Sequence, residues 1–289
     1  MRLLVLGTSG MLGSTVFRDF DSITSFEVWG LMRNPVFLKY FSPTQQNRIL
    51  TGINVLDDLA LSATFNRLHP EVVINCIGLI KQRDCAEDPL LALPINAMLP
   101  HRLAALCSAC NARLITIGTD CVFSGRRGMY TEADPSDAED LYGKSKYIGE
   151  IHSHKFAVTL RTSIIGHELN SRRALVDWFL SQKGQVDGFR RSIFSGITAN
   201  ELSKVIREKI LSDSSLYGLY HVSSAPISKF ALLKLIAAQY DKPIEVLPND
   251  KIVIDRSLDS SHLFQATGYR APSWEHMLRL MYDKNKIES

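Results

Sequence analysis

Hydrophobic and polar positions along the chain fall into two alternating rhythms. Short runs dominated by Val, Ile and Leu lie at 2–7 (RLLVLG), 26–32 (FEVWGLM), 71–78 (EVVINCIG), 113–120 (RLITIGTD) and 156–163 (FAVTLRTS). Such near-continuous apolar runs mark strands covered on both faces. Between them, apolar residues recur at helical spacing around 11–20, 57–68, 95–110 and 141–154. Strand, helix and strand in repetition predict an α/β fold with a doubly wound parallel sheet and right-handed crossovers. After about residue 165 the rhythm loosens. It predicts a helix near 171–182, irregular chain to 198, and helices near 199–211, 228–240 and 273–283, with GLYHVSS at 218–224 between them. This reads as a smaller mixed α/β lobe. The expected division is a nucleotide-binding domain over 1–163, completed by about 190–212, with 164–189 and 213–289 forming a substrate-binding lobe.

Composition narrows the class. The 289 residues carry a net charge of only +3, spread without a basic tract, so nucleic acid is not an expected partner. Five cysteines, all between Cys76 and Cys121, are an odd and clustered set rather than a disulfide framework, and a reducing cytoplasm is the expected location. Cys107 and Cys110 read as buried thiols on one helix face, and no metal site is expected. The apolar stretch at the N-terminus is too short for a signal peptide. No apolar run appears long enough for a bilayer, so no membrane is expected either.

The first strand runs directly into GTSGMLG, which places glycines at 7, 10 and 13. A strand-to-helix turn of this kind lets backbone N–H groups and a helix N-terminus approach a pyrophosphate, the arrangement of a Rossmann domain. Gly7, Thr8, Ser9, Gly10, Met11, Leu12 and Gly13 are therefore the expected phosphate cradle. The second strand ends in LMRN, without a carboxylate for a ribose 2′-hydroxyl. Arg33 instead offers a guanidinium to a 2′-phosphate, which favours NADPH with NADH as the alternative. Asn54 and Val55 are expected beside the adenine, and Cys76, Ile77 and Gly78 beside the second ribose.

The fifth strand ends in GTDC, with Thr119 at the C-terminal edge of the sheet where such folds bind ligands. Tyr142 follows on a helix, with Lys146 one turn later on the same face. Reducing a ketone by hydride leaves an alkoxide that must be protonated as it forms. A phenol supplies that proton, a nearby ammonium is expected to lower the phenol's pKa, and a hydroxyl polarises the carbonyl. Thr119, Tyr142 and Lys146 are the candidate catalytic set, and all three are expected to touch the cofactor. A second Tyr-x-x-x-Lys, Tyr282 to Lys286, follows every strand and is expected on a frayed, exposed terminal helix.

GTSGMLG, GTDCVFSG (118–125) and YGKSKYIGE (142–150) together resemble the extended short-chain dehydrogenases/reductases, in particular the dTDP-4-dehydrorhamnose reductase branch. INA (95–97), LRTS (160–163) and RSLDSSHL (256–263) fall in that family's order. The resemblance implies NADPH-dependent reduction of the C4 ketone of a nucleotide-linked 4-keto-6-deoxysugar for bacterial polysaccharide or O-antigen synthesis, with threonine, tyrosine and lysine as catalysts. Cys121, and Ile164 with Ile165, stand where the family carries aromatic residues on the substrate side, so a UDP-linked 2-acetamido-2,6-dideoxy-4-hexulose is an equally suitable substrate. Cys121 also replaces the glutamate that a related dehydratase uses. Arg256 is implied as a diphosphate contact. Lys81 is either a substrate contact or a solvated lysine, and Asp120 either a substrate contact or a turn former. A nucleotide-sugar epimerase that retains NAD and a non-catalytic nucleotide-binding subunit are the alternatives, and a homodimer is compatible with each.

Overall fold

The computed structural model describes residues 1–80 and 87–288. Its main sheet has seven strands, all parallel: β1 (Arg2–Leu6), β2 (Glu27–Met32), β3 (Ile49–Thr51), β4 (Val72–Asn75), β5 (Arg113–Ile117), β6 (Ala157–Arg161) and β7 (Gly218–His221). Their order across the sheet is β7-β6-β5-β4-β1-β2-β3. Successive side chains of a strand point to opposite faces, and β1 shows the result. Leu3 and Val5 join one core with Val16, Phe17 and Phe20 of helix α1 (Met11–Asp21), while Leu4 and Leu6 join another. The second core takes Leu61, Phe65 and Leu68 from α2 (Asp58–Leu68), and Leu99, Leu103 and Cys107 from α3 (Leu99–Ala109). The sheet is thus covered on both faces, the doubly wound arrangement that the hydrophobic rhythm predicts.

Chain direction across the sheet reverses between β1 and β4, and the crevice that opens there is the ligand site of such folds. Gly7 and Cys76 follow these two strands and lie so close that a Cβ on Gly7 would be 3.2 Å from the Cys76 carbonyl carbon.

Several expectations are corrected. The strand Gly218–His221, assigned from sequence to the smaller lobe, is the edge of the large sheet, pairing in parallel with β6 from Val158 to Arg161. The stretch to 198 is not irregular but holds the strands Gln185–Phe189, Ser192–Phe194 and Ile197–Thr198. These strands are too short, and too mixed in polarity, for a two-residue period to show. The helix over 141–154 is shorter than expected: α4 spans Leu141–Ile148 and stops at Gly149. Cys110 lies exposed at the end of α3 although Cys107 is buried. The segment Pro89–Ala109 is, by length and composition, long and apolar enough to cross a membrane, contrary to the sequence reading. It packs instead as a core helix, with Leu99, Leu103, Ala104 and Cys107 buried on the sheet.

The terminal helix is not frayed. Trp274–Glu288 buries Trp274, Met277, Leu278 and Met281 in the first core. The second Tyr-x-x-x-Lys sits on this helix. Lys286 lies over the Tyr282 ring at 4.4 Å and Tyr282 packs edge-on to Tyr240, away from the end of β5.

Candidate active site

The glycine loop closes tightly on itself. Gly7 and Thr8 donate to the Leu31 carbonyl at 2.9 and 3.1 Å, and Gly10 donates to the Gly7 carbonyl at 2.9 Å. Gly7 has φ of +85°, a left-handed conformation that glycine adopts without cost. A Cβ on Gly13 would lie 2.1 Å from the Gly7 oxygen, so α1 can approach the loop only with glycine there. Gly10 caps α1 and supplies no side-chain acceptor, which leaves the first N–H groups of the helix to a ligand. The Thr8 hydroxyl is fully buried and has no hydrogen-bond partner among the described residues. An uncapped helix N-terminus of three turns, a glycine cradle and an orphaned hydroxyl fit a dinucleotide pyrophosphate.

Arg33 is exposed at the end of β2, and its side chain makes no hydrogen bond or ion pair among the described residues. Asn54 and Val55 fall in the turn after β3 rather than on it, with Asn54 accepting from the Leu56 N–H at 3.1 Å. Cys76 is half-buried after β4, and burial pushes its thiol up to about 12. Ile77 is braced by Asn75, whose Oδ1 accepts its N–H at 3.1 Å. Lys81 lies outside the described residues.

Thr119, Tyr142 and Lys146 converge at the end of β5. Thr119 caps a short 3₁₀ turn over Asp120–Val122, its hydroxyl oxygen accepting the Cys121 N–H at 3.2 Å. Asp140 caps α4, accepting the Gly143 N–H at 2.7 Å. Gly143 permits the helix to meet the turn, since a Cβ there would be 2.3 Å from the Cys121 oxygen. Lys146 donates to the Ile117 carbonyl at 2.6 Å, and burial lowers its pKa to about 8 while Glu150 and Cys76 oppose that fall. Burial also raises the Tyr142 phenol above its usual value, the neighbouring Thr119 hydroxyl acting against the rise. The expected lowering of the phenol is therefore not what this site displays. Desolvating a phenolate outweighs its neighbours, and the lysine is committed to a backbone carbonyl.

The substrate side holds more than the sequence suggested. Asp120 is buried beside Thr119, its carboxyl raised by burial against the pull of Arg256 and Lys229. Cys121 is raised to about 12, again chiefly by burial. Arg256 donates to the Phe123 carbonyl at 2.7 Å and approaches the Cys121 sulfur at 3.6 Å. Lys229 is new. Its motif, ISKF, looks like any helix start, and only the tertiary fold brings its charge to bear on the Asp120 carboxyl.

Asn96 is a further residue missed as a functional element. It lies in a π-helical turn over Leu93–Met98, where its side chain accepts the Leu79 N–H at 2.8 Å and donates to the Leu79 carbonyl at 3.1 Å. It also donates to the Ser145 hydroxyl at 3.2 Å, tying the loop after β4 to α4. A π turn inside a helix is a recurrent mark of functional sites, and the polar residue within INA was its sequence signal.

A cavity of about 570 Å³ opens elsewhere, lined in part by Glu168, Arg172, Asp177 and Lys242, none of them in the Thr119 group. Polar groups that converge on one sheet edge, not cavity size, define the candidate site.

A seven-stranded doubly wound sheet with a glycine-rich first turn and a Thr–Tyr–Lys group at the end of β5 defines an extended short-chain dehydrogenase/reductase. The chain belongs to the RmlD substrate binding domain family, whose model matches residues 1–286. Among curated proteins it is 28% identical to methionine adenosyltransferase 2 subunit beta of Danio rerio, over 84% of this chain and 75% of that one. It is 32% identical to dTDP-4-dehydrorhamnose reductase of Streptomyces griseus, over 52% of this chain and 43% of the relative. The structure of a dTDP-4-dehydrorhamnose reductase from Bacillus anthracis in complex with NADP superposes with a TM-score of 0.80 at 23% identity, covering 98% and 99% of the two chains.

Proposed function

We propose that the chain is an NADPH-dependent reductase of the C4 ketone of a nucleotide-linked 4-keto-6-deoxysugar. The observation that carries this reading is the convergence of a hydroxyl, a phenol and an ammonium at the end of β5, on the same edge of the parallel sheet as the uncapped start of α1. Gly7 to Gly13 would hold the pyrophosphate, with Arg33 at the 2′-phosphate and Asn54, Val55 and Cys76 to Gly78 flanking the riboses and adenine. The bound reduced nicotinamide supplies the hydride that the ketone carbon gains. Tyr142 donates the proton that the ketone oxygen gains. A phenol is protonated at neutral pH, as a proton donor must be, and burial acts in the same direction. Thr119, whose single hydroxyl proton goes to Asp120 in the structure, would turn it to the carbonyl oxygen of a bound ketone, and Lys146 fixes α4 to the end of β5. Asp120, Cys121 and Arg256 form the substrate side, with a dTDP- or UDP-linked sugar as ligand.

A second reading is favoured by the relatives named as a subunit beta of methionine adenosyltransferase 2: a nucleotide-binding subunit of a larger assembly. A nucleotide-sugar epimerase would instead retain NAD through purification. One experiment separates the three. NADPH consumption is followed with dTDP- and UDP-linked 4-keto-6-deoxysugars in parallel, with products identified by NMR. The reductase reading expects consumption and a C4 alcohol from at least one. NADPH binding with no consumption across the panel supports the subunit, and NAD that copurifies supports the epimerase.

A further inference from the structure

Arg256 directly follows the short strand Ile254–Asp255, which pairs in parallel with Ser192–Phe194 in a three-stranded sheet separate from the main one. Its side chain reaches across to the turn that carries Thr119. Nε donates to the Phe123 carbonyl at 2.7 Å, and Nη1 donates to the Cys121 sulfur at 3.6 Å. Thr119 caps this turn, Cys121 lies within it and Phe123 closes it. Cys121 is also the residue whose N–H the Thr119 oxygen accepts, at 3.2 Å. The guanidinium therefore holds the turn at two points, one of them the residue bonded to Thr119.

Both sides of this contact are fixed. Asp255 donates its N–H to the Gly125 carbonyl at 2.7 Å, and Tyr130 donates to the Ser257 carbonyl at 2.9 Å. Met129 donates its N–H to the Ser257 hydroxyl at 2.8 Å. A Cβ on Gly125 would lie 2.4 Å from Ile254 Cγ1 and 3.0 Å from Arg256 Cγ, so the two segments meet this closely only over a glycine. Phe123 is buried, its ring stacked on Tyr130 at 4.1 Å between centroids, with the Arg161 guanidinium 4.9 Å from its centre. Its carbonyl is thus a firm anchor, and it seats the guanidinium beside the Cys121 sulfur. A phosphate is clasped by an arginine through two parallel N–H donors. Nε and Nη1 of Arg256, which belong to those forks, are turned to the protein instead.

We propose that Arg256 is a positioning residue for Thr119. It braces the Asp120–Val122 turn, which keeps the Cys121 N–H on the Thr119 oxygen. The single hydroxyl proton is then left to swing between Asp120, 3.3 Å away, and a bound ketone. This inference rests on the reductase reading, which gives Thr119 its part. Without the brace the turn relaxes and the hydroxyl shifts, and a displacement of about 1 Å costs on the order of 10²-fold in rate.

The test compares Arg256→Met and Arg256→Lys with the wild type in two measurements. One is single-turnover hydride transfer from NADPH to dTDP- and UDP-linked 4-keto-6-deoxysugars at saturating sugar, where amplitude counts competent sites and rate reports their geometry. The other is calorimetric binding of free dTDP and UDP. Arg256→Met should transfer hydride about 10²-fold more slowly at full amplitude, with nucleotide affinity within about threefold of the wild type. Arg256→Lys keeps a donor for the Phe123 carbonyl but loses the planar fork, and should recover about tenfold of that loss. Nucleotide affinity that falls by about tenfold or more at an unchanged rate would make Arg256 a diphosphate contact and overturn the inference. A lower amplitude at an unchanged rate, the mark of a merely structural role, overturns it too, as does an Arg256→Met protein that matches the wild type throughout. A wild type that transfers no hydride to either sugar overturns the reductase reading with it.

Discussion

Arg161 is the largest fully buried side chain among the described residues, and its surroundings explain how a charge is tolerated there. Glu150 receives two hydrogen bonds from it, at 2.9 and 2.6 Å. His221 faces it at 2.8 Å through Nε2, while Nδ1 lies 3.1 Å from the carbonyls of Tyr130 and Asp259. Nδ1 therefore carries the proton and Nε2 accepts from Arg161. Burial lowers the pKa of this histidine, and Arg161 adds to the effect. Removing one partner of a buried pair leaves an uncompensated charge. Arg161→Met should destabilise the fold by about 3–5 kcal/mol in urea unfolding. The arginine was visible within LRTS, yet nothing local to the sequence announces that Glu150 and His221 meet it across three segments. Lys146 carries a second prediction at this scale. Its lowered pKa means that the ammonium is present below about 8 and lost above it. The pH profile of kcat/KM should fall on its alkaline side near that value, and Lys146→Arg, permanently charged, should displace the fall upward. An alkaline limb that stays in place would assign it to another group.

Elements were legible to differing degrees, for physical reasons. Main-sheet strands β1, β2, β4, β5 and β6 read directly from their apolar runs because both faces are buried. β3 is only three residues, and β7 is GLYH, whose glycine and histidine interrupt the apolar run, so neither leaves a comparable pattern. The end of α4 was misplaced because the apolar and basic pattern continues past Ile148. The glycine at its C-cap answers a tertiary need: a Cβ on Gly149 would lie 2.0 Å from the Asn96 oxygen. The same reasoning predicts the effect of Gly143→Ala. Its methyl would press on the Cys121 carbonyl and lift α4 from the Thr119 turn. Misplacement by about 1 Å costs on the order of 10²-fold in rate. We expect a loss of that size in kcat with nucleotide affinity little changed, measured by NADPH consumption and by fluorescence titration.

At the scale of the whole molecule, the parts of the chain are tied through α1. Asp19 accepts from the Ser203 hydroxyl at 2.8 Å, pairs with Arg207, and pairs with Lys284 of the terminal helix at 3.2 Å. One carboxylate thus fixes the first helix, the segment Ala199–Ile210 and the C-terminal helix to one another. Asp19→Ala should lower the urea midpoint by an amount corresponding to about 1–2 kcal/mol, without changing the slope of the transition. These pairings span most of the chain, so periodicity could not reveal them, and a terminal helix that looked free in sequence is in fact anchored. The candidate site was legible where strand ends and glycines mark it, and hidden where Lys229 and Asn96 arrive from distant segments.

Everything functional follows from Tyr142 standing beside Thr119 as a proton donor, and one measurement tests that claim most directly. Tyr142→Phe is compared with the wild type for NADPH consumption on a nucleotide-linked 4-keto-6-deoxysugar, alongside NADPH binding. Turnover should fall by about 10²- to 10⁴-fold while binding stays within a few-fold. Undiminished turnover in the phenylalanine variant would contradict the account.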